Sequence, residues 1–197
     1  MDVTGAVSAA LLRHPSVATV RLIGSRADGT AHELSDWDFA VETTDFREVE
    51  RDVPSLLAPL GAVAEQWDRF SRHACYMLIL RGPLKIDLLF LGVEREWAPA
   101  WDVSRATLAA VDTHFWDWIL WLEQKRRAGR DDVLRESLGH MHELLLRPMG
   151  VGARPSSIAD AVGSYEAARD ELERRFGTRV PRRLEREVRP VVHGGTG

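Results

Sequence analysis

A glycine–serine turn, followed at a fixed distance by two aspartates at alternate positions, constrains this chain more than any other feature. The apolar run 17–23 leads directly into Gly24 and Ser25, and Asp36 and Asp38 come after a ten-residue spacer, 26–35. This order predicts a strand, a turn, a short crossing and a second strand. Alternate strand residues share a face, so both carboxylates should point one way while the interleaved aromatic rings point into the core. Glycine lacks a Cβ, which allows a sharp turn and close approach of a ligand.

Two carboxylates on one strand face repel each other, and a bound cation would relieve that repulsion. Oxygen ligands of this kind suit Mg²⁺, which proteins hold with one or two carboxylates plus substrate phosphates. A third carboxylate is available in the apolar run 84–91, where Asp87 is the only acid and Lys85 shares its face. The pattern therefore predicts a metal site built from Asp36, Asp38 and Asp87.

The two-part motif resembles the signature of the DNA polymerase β-like nucleotidyltransferase superfamily. It stands here as Ile23-Gly24-Ser25 and Asp36-Trp37-Asp38-Phe39. Within that superfamily, Gly-Ser-Arg-Ala followed by Ser-Asp-Trp-Asp-Phe is similar to the antibiotic nucleotidyltransferases of the aminoglycoside and lincosamide type. The resemblance covers roughly the first half of the chain.

The resemblance implies a chemistry and a role for each motif residue. A nucleoside monophosphate, AMP by preference, would move from ATP or another nucleoside triphosphate to a hydroxyl of a small molecule, with two Mg²⁺ ions. The catalytic and metal-binding residues would be Asp36, Asp38 and Asp87. The nucleotide-binding residues would be Gly24, Ser25, Arg26 and Lys85.

Three of these assignments keep an alternative. Asp87 either completes the metal site or accepts the proton of the acceptor hydroxyl. Lys85 either contacts a phosphate or only holds Asp87, and Arg26 is either a triphosphate contact or a surface arginine. In some antibiotic nucleotidyltransferases an acid of the helical region is the base. Glu123 is a candidate for that role, although an exposed helix charge is the preferred interpretation.

The expected fold class is α/β, with an N-terminal nucleotidyltransferase fold around a mixed sheet and a C-terminal helical bundle. The predicted domains are residues 1–100, carrying the chemistry, and 101–197, a helical substrate or interaction domain. Hydrophobic spacing changes to a helical period after Gly92, beyond a connector at 97–102. In the second half we expect helices at 104–128 and 132–147 and two short helices at 157–162 and 164–176. The segment 181–197 is charged and then glycine-rich, and we expect its end to fray.

Composition narrows the partners and the compartment. The formal charge of −4 disfavours nucleic acid, which requires a basic surface, and suits a cationic small acceptor. No apolar run approaches the roughly 20 residues of a membrane span, so no membrane association is expected. The single cysteine, Cys75, fits a reducing cytoplasm and a core position. Either a monomer or a homodimer is compatible with the sequence.

Three functions remain open at this point. The first is adenylylation of a small molecule, with a role in antibiotic resistance. The second is modification of a protein by an antitoxin-like AMP-transferring enzyme. The third is nucleotide binding without catalysis by a protein that kept the fold. The long second half favours the first over the second, and the intact carboxylates disfavour the third.

Overall fold

The structure, a computed structural model, describes residues 2–94 and 100–193. It divides into two compact units, Met1–Ala98 and Pro99–Gly197. Half of the predicted connector at 97–102, residues 97–99, lies outside the described residues. The expected α/β fold class, a mixed sheet followed in sequence by helices, is confirmed.

The first unit contains three helices and five strands. The helices are α1 (Val3–Leu11), the four-residue α2 (Gly24–Ala27) and α3 (Phe46–Leu57), which a 3₁₀ turn extends through Ala58–Leu60. The strands are β1 (Val17–Ile23), β2 (Trp37–Thr43), β3 (Ala64–Trp67), β4 (His73–Leu80) and β5 (Leu84–Glu94). The predicted turn at Gly24 is therefore a single helical turn, α2, between β1 and the crossing loop.

The sheet is mixed, with the order β1-β2-β5-β4-β3. Only β2 and β5 run parallel, and the other three pairs are antiparallel. The two strands that carry the predicted carboxylates are thus hydrogen-bonded neighbours in the middle of the sheet. Register then fixes the relative heights of their side chains.

One face of this sheet buries the core of the first unit. Alternate side chains of β2, β4 and β5, such as Phe39, Leu78 and Leu88, are fully buried and pack in one cluster with α1 and α3. The helices contribute apolar residues at helical spacing, among them Val7 and Leu11. The neighbouring positions on each strand face the opposite side, and the predicted carboxylates are among them.

The second unit is helical, with α4 (Leu108–Arg127), α5 (Asp131–Met141), α6 (Ile158–Phe176) and α7 (Arg183–His193). A π-helical turn, His142–Leu146, follows α5. None of the described helices is both long enough and apolar enough to cross a membrane.

One prediction for this unit is wrong, and one helix of the unit is not predicted. A single helix, α6, replaces the two predicted short ones, because buried residues continue at helical spacing across Gly163, from Ala161 to Tyr165. Helix α7 lies in the charged segment 181–197, for which no helix is predicted, and residues 194–197 at the end expected to fray lie outside the described residues. Its apolar residues Leu184 and Val188 are buried, and its charged residues form ion pairs with α6.

The prediction that Glu123 is an exposed charge is also wrong. Only 1% of its side chain is exposed, and Oε1 lies 2.7 Å from Nη2 of Arg126 and 2.8 Å from Nε of Arg127. Burial raises the pKa of Glu123, but the hydrogen bonds from the two arginines outweigh it and leave that pKa lowered. A carboxylate held in this way is a poor proton acceptor, which weakens its candidacy as a general base.

A buried polar network joins α4, α6 and α7. The hydroxyl of Tyr165 donates a hydrogen bond to Asp112, and the Tyr165 ring stacks on Phe115 with centroids 3.7 Å apart. Nη1 of Arg169 lies 3.8 Å from Asp112 and 2.6 Å from Glu185. Burial raises the pKa of Asp112 to about 6, against the lowering effects of the Tyr165 hydrogen bond and the Arg169 charge.

From the raised pKa of Asp112 we predict how the stability of the fold changes with pH. Between the ordinary pKa of 3.8 and about 6, the unfolded chain releases the Asp112 proton while the folded chain keeps it. The contribution of this group to stability is therefore complete below about pH 4 and is lost as pH rises through 6. Relative to wild type, Asp112→Asn should gain roughly 3 kcal/mol of unfolding free energy between pH 4 and pH 7.

Urea unfolding of both proteins across this pH range measures the difference, in which the other titrating groups cancel. A difference that stays constant from pH 4 to pH 7 would contradict the raised pKa.

Candidate active site

Three carboxylates meet on the sheet face opposite α1 and α3. One oxygen from each of Asp36, Asp38 and Asp87 lies within 4.8 Å of the other two. All three side chains are partly buried. The structure therefore brings together the three acids that the sequence analysis proposed as metal ligands, although Asp87 is far from Asp36 and Asp38 in the chain.

Strand register explains how two of the carboxylates come to face each other. Asp38 and Asp87 are paired positions of the parallel strands β2 and β5. Asp36 lies one residue before β2 begins at Trp37, and two residues before Asp38. The alternation of the strand thus sends Asp36 and Asp38 to the same side.

A buried lysine accompanies the three acids. Lys85 is 7% exposed, and its Nζ lies 3.2 Å from Oδ1 of Asp87. Lys85 and Asp87 are two residues apart on β5, so they share a sheet face. Two roles were left open for Lys85, and the structure shows the one in which it holds Asp87. The positive charge of Lys85 also offsets part of the negative charge of the three acids.

Gly24 packs against the three acids on the side of Asp38. Its φ is +68°, a conformation that side-chain-bearing residues rarely adopt, and a Cβ built there would lie 2.7 Å from Oδ2 of Asp38. Glycine is thus required here twice, for the backbone conformation and for the contact with the carboxylate. Ser25 follows within α2, and its carbonyl accepts a hydrogen bond from the Thr30 amide at 2.9 Å.

Arg26 points to the loop that precedes β2. Nε donates to the carbonyl oxygens of Ser35 and Asp36, at 3.0 and 3.1 Å. Nη2 donates to Ser35 at 2.6 Å, and the guanidinium carbon lies 4.3 Å from the centroid of the Trp37 ring. The sequence had offered a triphosphate contact or a surface position for Arg26. It missed these carbonyl contacts, because a spacing of ten residues does not show how a loop folds back.

The donor set fits a hard divalent cation. Three convergent carboxylate oxygens are the ligands that Mg²⁺ and Mn²⁺ prefer, and there is no cysteine or histidine among them. Gly24 packs closely against Asp38, so a larger residue at this position would displace the carboxylate.

Two cavities in the described part of the chain differ in volume and in position. A cavity of about 110 Å³ is lined by Arg26, Lys85 and residues of the 33–35 and 82–84 segments. This volume is too small to enclose a nucleotide, since ligand pockets usually measure roughly 300–1,000 Å³. A larger cavity of about 680 Å³ lies in the helical unit at the end of α6, among side chains of both charges.

Sequence and structure together define a class of protein, the nucleotidyl-transferring enzymes built on a mixed sheet with an Asp-x-Asp strand. Residues 6–108 match a family described as "Nucleotidyltransferase domain". The chain belongs to this family, and the matched region contains all three carboxylates and the Gly24-Ser25 turn. A search of curated protein sequences gives no match.

Solved structures give more distant likenesses. The Cid1 poly(U) polymerase shares 17% identity with a TM-score of 0.37, and a cytoplasmic RNA terminal U-transferase shares 18% with a TM-score of 0.38. Each match covers 74% of this chain, which spans only about a third of theirs, 35% and 34%. An aminoglycoside 6-adenyltransferase from Bacillus subtilis shares 9% identity with a TM-score of 0.35, over 98% of both chains. Likenesses of this strength carry no functional argument.

The contact at Gly24 can be separated from its backbone conformation by a matched pair of variants. Gly29 has nearly the same φ, +71°, but a Cβ there would have nothing within 4 Å. Both Gly24→Ala and Gly29→Ala should lose roughly 1 kcal/mol for the left-handed backbone. Gly24→Ala should lose roughly 1–3 kcal/mol more, because its methyl group overlaps the Asp38 carboxylate.

Denaturant unfolding followed by circular dichroism measures both losses. Equal losses in the two variants would show that the carboxylate moves aside without cost.

Proposed function

We propose that this chain transfers AMP from ATP to a hydroxyl group of a small molecule and releases pyrophosphate. The observation that carries the proposal is the convergence of three carboxylates beside Gly24, where a side chain would collide with Asp38. Membership of the nucleotidyltransferase family supports the class of reaction. The nature of the nucleotide and of the acceptor is the part that we add.

We assign the residue roles from the family resemblance, and the convergence of the three carboxylates supports the assignment. Asp36 and Asp38 would hold the two Mg²⁺ ions, and Asp87 would contact the one nearer the acceptor. When bound, Mg²⁺ neutralises the charge that develops on the attacking and leaving oxygens. Gly24 and Ser25 would contact the β- and γ-phosphates with their backbone.

The bond changes are those of an in-line displacement. The acceptor oxygen bonds to the α-phosphorus, and the bond from that phosphorus to the bridging oxygen breaks, so pyrophosphate leaves with the bond electrons. The acceptor hydroxyl gives up its proton to the Asp87 carboxylate as its oxygen bonds to phosphorus. Asp87 is the carboxylate that we place nearest this proton, and Lys85 at 3.2 Å holds it in place.

The acceptor is proposed from charge. A net charge of −4 suits a cationic small molecule of the aminoglycoside kind better than a polyanionic nucleic acid. Residues 101–197 are our proposed acceptor-binding or interaction domain, and the chain is proposed to act in the cytoplasm as a monomer or homodimer. If the acceptor proves to be a protein, the alternative of a protein-modifying enzyme applies.

Nucleotide binding should depend on the metal. The phosphates of a nucleotide and the three carboxylates repel each other, so a divalent cation has to lie between them. Calorimetric titration with ATP and with GTP should show binding in Mg²⁺ and little or none in EDTA. Equal affinity in both conditions for every nucleotide would remove the metal from the proposal.

Asp38→Asn should abolish transfer without unfolding the protein. Loss of one ligand displaces a cation that stabilises the transition state by several kcal/mol, so the rate should fall by roughly a thousandfold or more. The fold should tolerate the change, because relief of repulsion between Asp36 and Asp38 favours the variant. Pyrophosphate release with a panel of acceptors, including aminoglycosides and lincosamides, measures the rate.

Asp28→Asn is the matched control, since it removes the same charge from an exposed position of the adjacent turn. A thermal melt of each protein accompanies the assay. Unchanged turnover of Asp38→Asn removes Asp38 from the mechanism, and a collapse of its melting temperature would show that the carboxylate is structural. Nucleotide binding by a wild type that releases no pyrophosphate with any acceptor would favour the non-catalytic alternative.

A further inference from the structure

Arg26 and Asp36 raise a question about how the carboxylates are held in place. Asp38 lies within β2 and is paired with Ile23 of β1 and Asp87 of β5. The described pairing of β2 with β5 begins at Trp37, one residue after Asp36. Asp36 is therefore the carboxylate whose position depends on the loop that leads into the strand.

That loop is folded on itself just before Asp36. The Ser35 amide donates to the carbonyl of His32 at 3.0 Å, and the Ser35 hydroxyl accepts from the His32 amide at 2.9 Å. Ser35 is buried, whereas residues 27–33 are exposed. The turn at 32–35 is compact, and its attachment to the rest of the unit decides where Asp36 lies.

Arg26 supplies such an attachment. Its guanidinium donates to the carbonyls of Ser35 and Asp36, and at a longer 3.5 Å to that of Glu33. One face of the same group lies over the Trp37 ring at 4.3 Å. Arg26 thus contacts the backbone carbonyls just before and just after the Cα of Asp36. It also contacts the ring of the next residue, Trp37.

The donors of Arg26 are used in a way that lysine cannot reproduce. A guanidinium is planar, presents donors in a fixed fork and stacks on aromatic rings, while an ammonium is a compact point charge. Only the fork can reach two carbonyls and cover the Trp37 ring at the same time. These contacts direct Nε and Nη2 to backbone oxygens.

We propose that Arg26 is a positioning residue that fixes Asp36 for cation binding, and that it does so through the 33–36 backbone. This inference rests on the proposed metal-dependent function and deepens it. Helix α2 then serves both aspartates, because Gly24 contacts the carboxylate of Asp38 while Arg26 holds the backbone of Asp36. The alternative, a direct contact of Arg26 with the triphosphate, predicts a different pattern of losses.

The test uses the full chain and the variants Arg26→Gln and Arg26→Lys. The control is Arg21→Gln, which removes the same charge from a β1 side chain that is 61% exposed and pairs with Glu42. Mn²⁺ is the probe, because the electron paramagnetic resonance signal of the free ion reports binding without nucleotide or turnover. Loss of a group that orients a metal ligand typically weakens metal binding roughly 10–100-fold.

We expect both Arg26 variants to bind Mn²⁺ roughly 10–100-fold more weakly, and the Arg21 variant to match wild type. Amide hydrogen exchange of the segment 33–37, measured without metal, should be faster in the Arg26 variants only. With nucleotide and acceptor present, kcat should fall while KM for the nucleotide changes little. Rescue to wild-type Mn²⁺ affinity by lysine would overturn the proposal, because charge alone would then suffice.

Two further outcomes separate this inference from the proposed function. Tight Mn²⁺ binding by wild type and by both Arg26 variants overturns the role of Arg26 and leaves the metal centre standing. No Mn²⁺ binding by wild type overturns the metal centre and the positioning role with it. A raised nucleotide KM with unchanged Mn²⁺ affinity and unchanged hydrogen exchange would assign Arg26 to the triphosphate instead.

Discussion

The parallel pairing of β2 with β5 is the constraint on which the candidate site depends. It sets Asp38 opposite Asp87 although the two are separated by a helix and two strands in the chain. A shift of one residue in this register would turn Asp87 toward the apolar core. Because Phe39 and Leu88 are both fully buried, the register that satisfies the core is the one that aligns the carboxylates.

That alignment has an electrostatic consequence. Three carboxylates within 4.8 Å of one another repel strongly in a partly buried position. Lys85, with its Nζ 3.2 Å from Oδ1 of Asp87, offsets part of this repulsion.

Much of the site was predictable because its signal is local or periodic. Gly24 and the Asp-x-Asp alternation are local patterns, and Asp87 is conspicuous as the only acid of an apolar strand. The direction of Arg26 was not predictable, since it depends on how the 28–36 loop folds back over α2. The burial of Glu123 was missed for a related reason: its partners, Arg126 and Arg127, make the sequence look like a solvated helix end.

The helical half shows where reasoning from apolar periodicity is weakest. Helix α7 contains a proline, and five of its eleven residues are charged, so the sequence analysis does not predict it. Its order comes from non-local ion pairs with α6, such as those of Glu185 with Arg169 and of Arg189 with Glu166. Such pairs stabilise little by themselves but require a defined geometry once they are buried.

The two units therefore reach a defined structure by different means. In the first, backbone pairing fixes the carboxylates, and the family match over 6–108 spans this arrangement and stops at the start of α4. In the second, side-chain pairs between helices define the packing. The part of this unit after residue 108 lies beyond the region that matches the family. Backbone pairing tolerates few changes, whereas a helix surface can be rebuilt without disturbing the sheet. This contrast favours a division of labour in which the sheet unit carries a reaction common to the family and the helical unit carries what is particular to this chain.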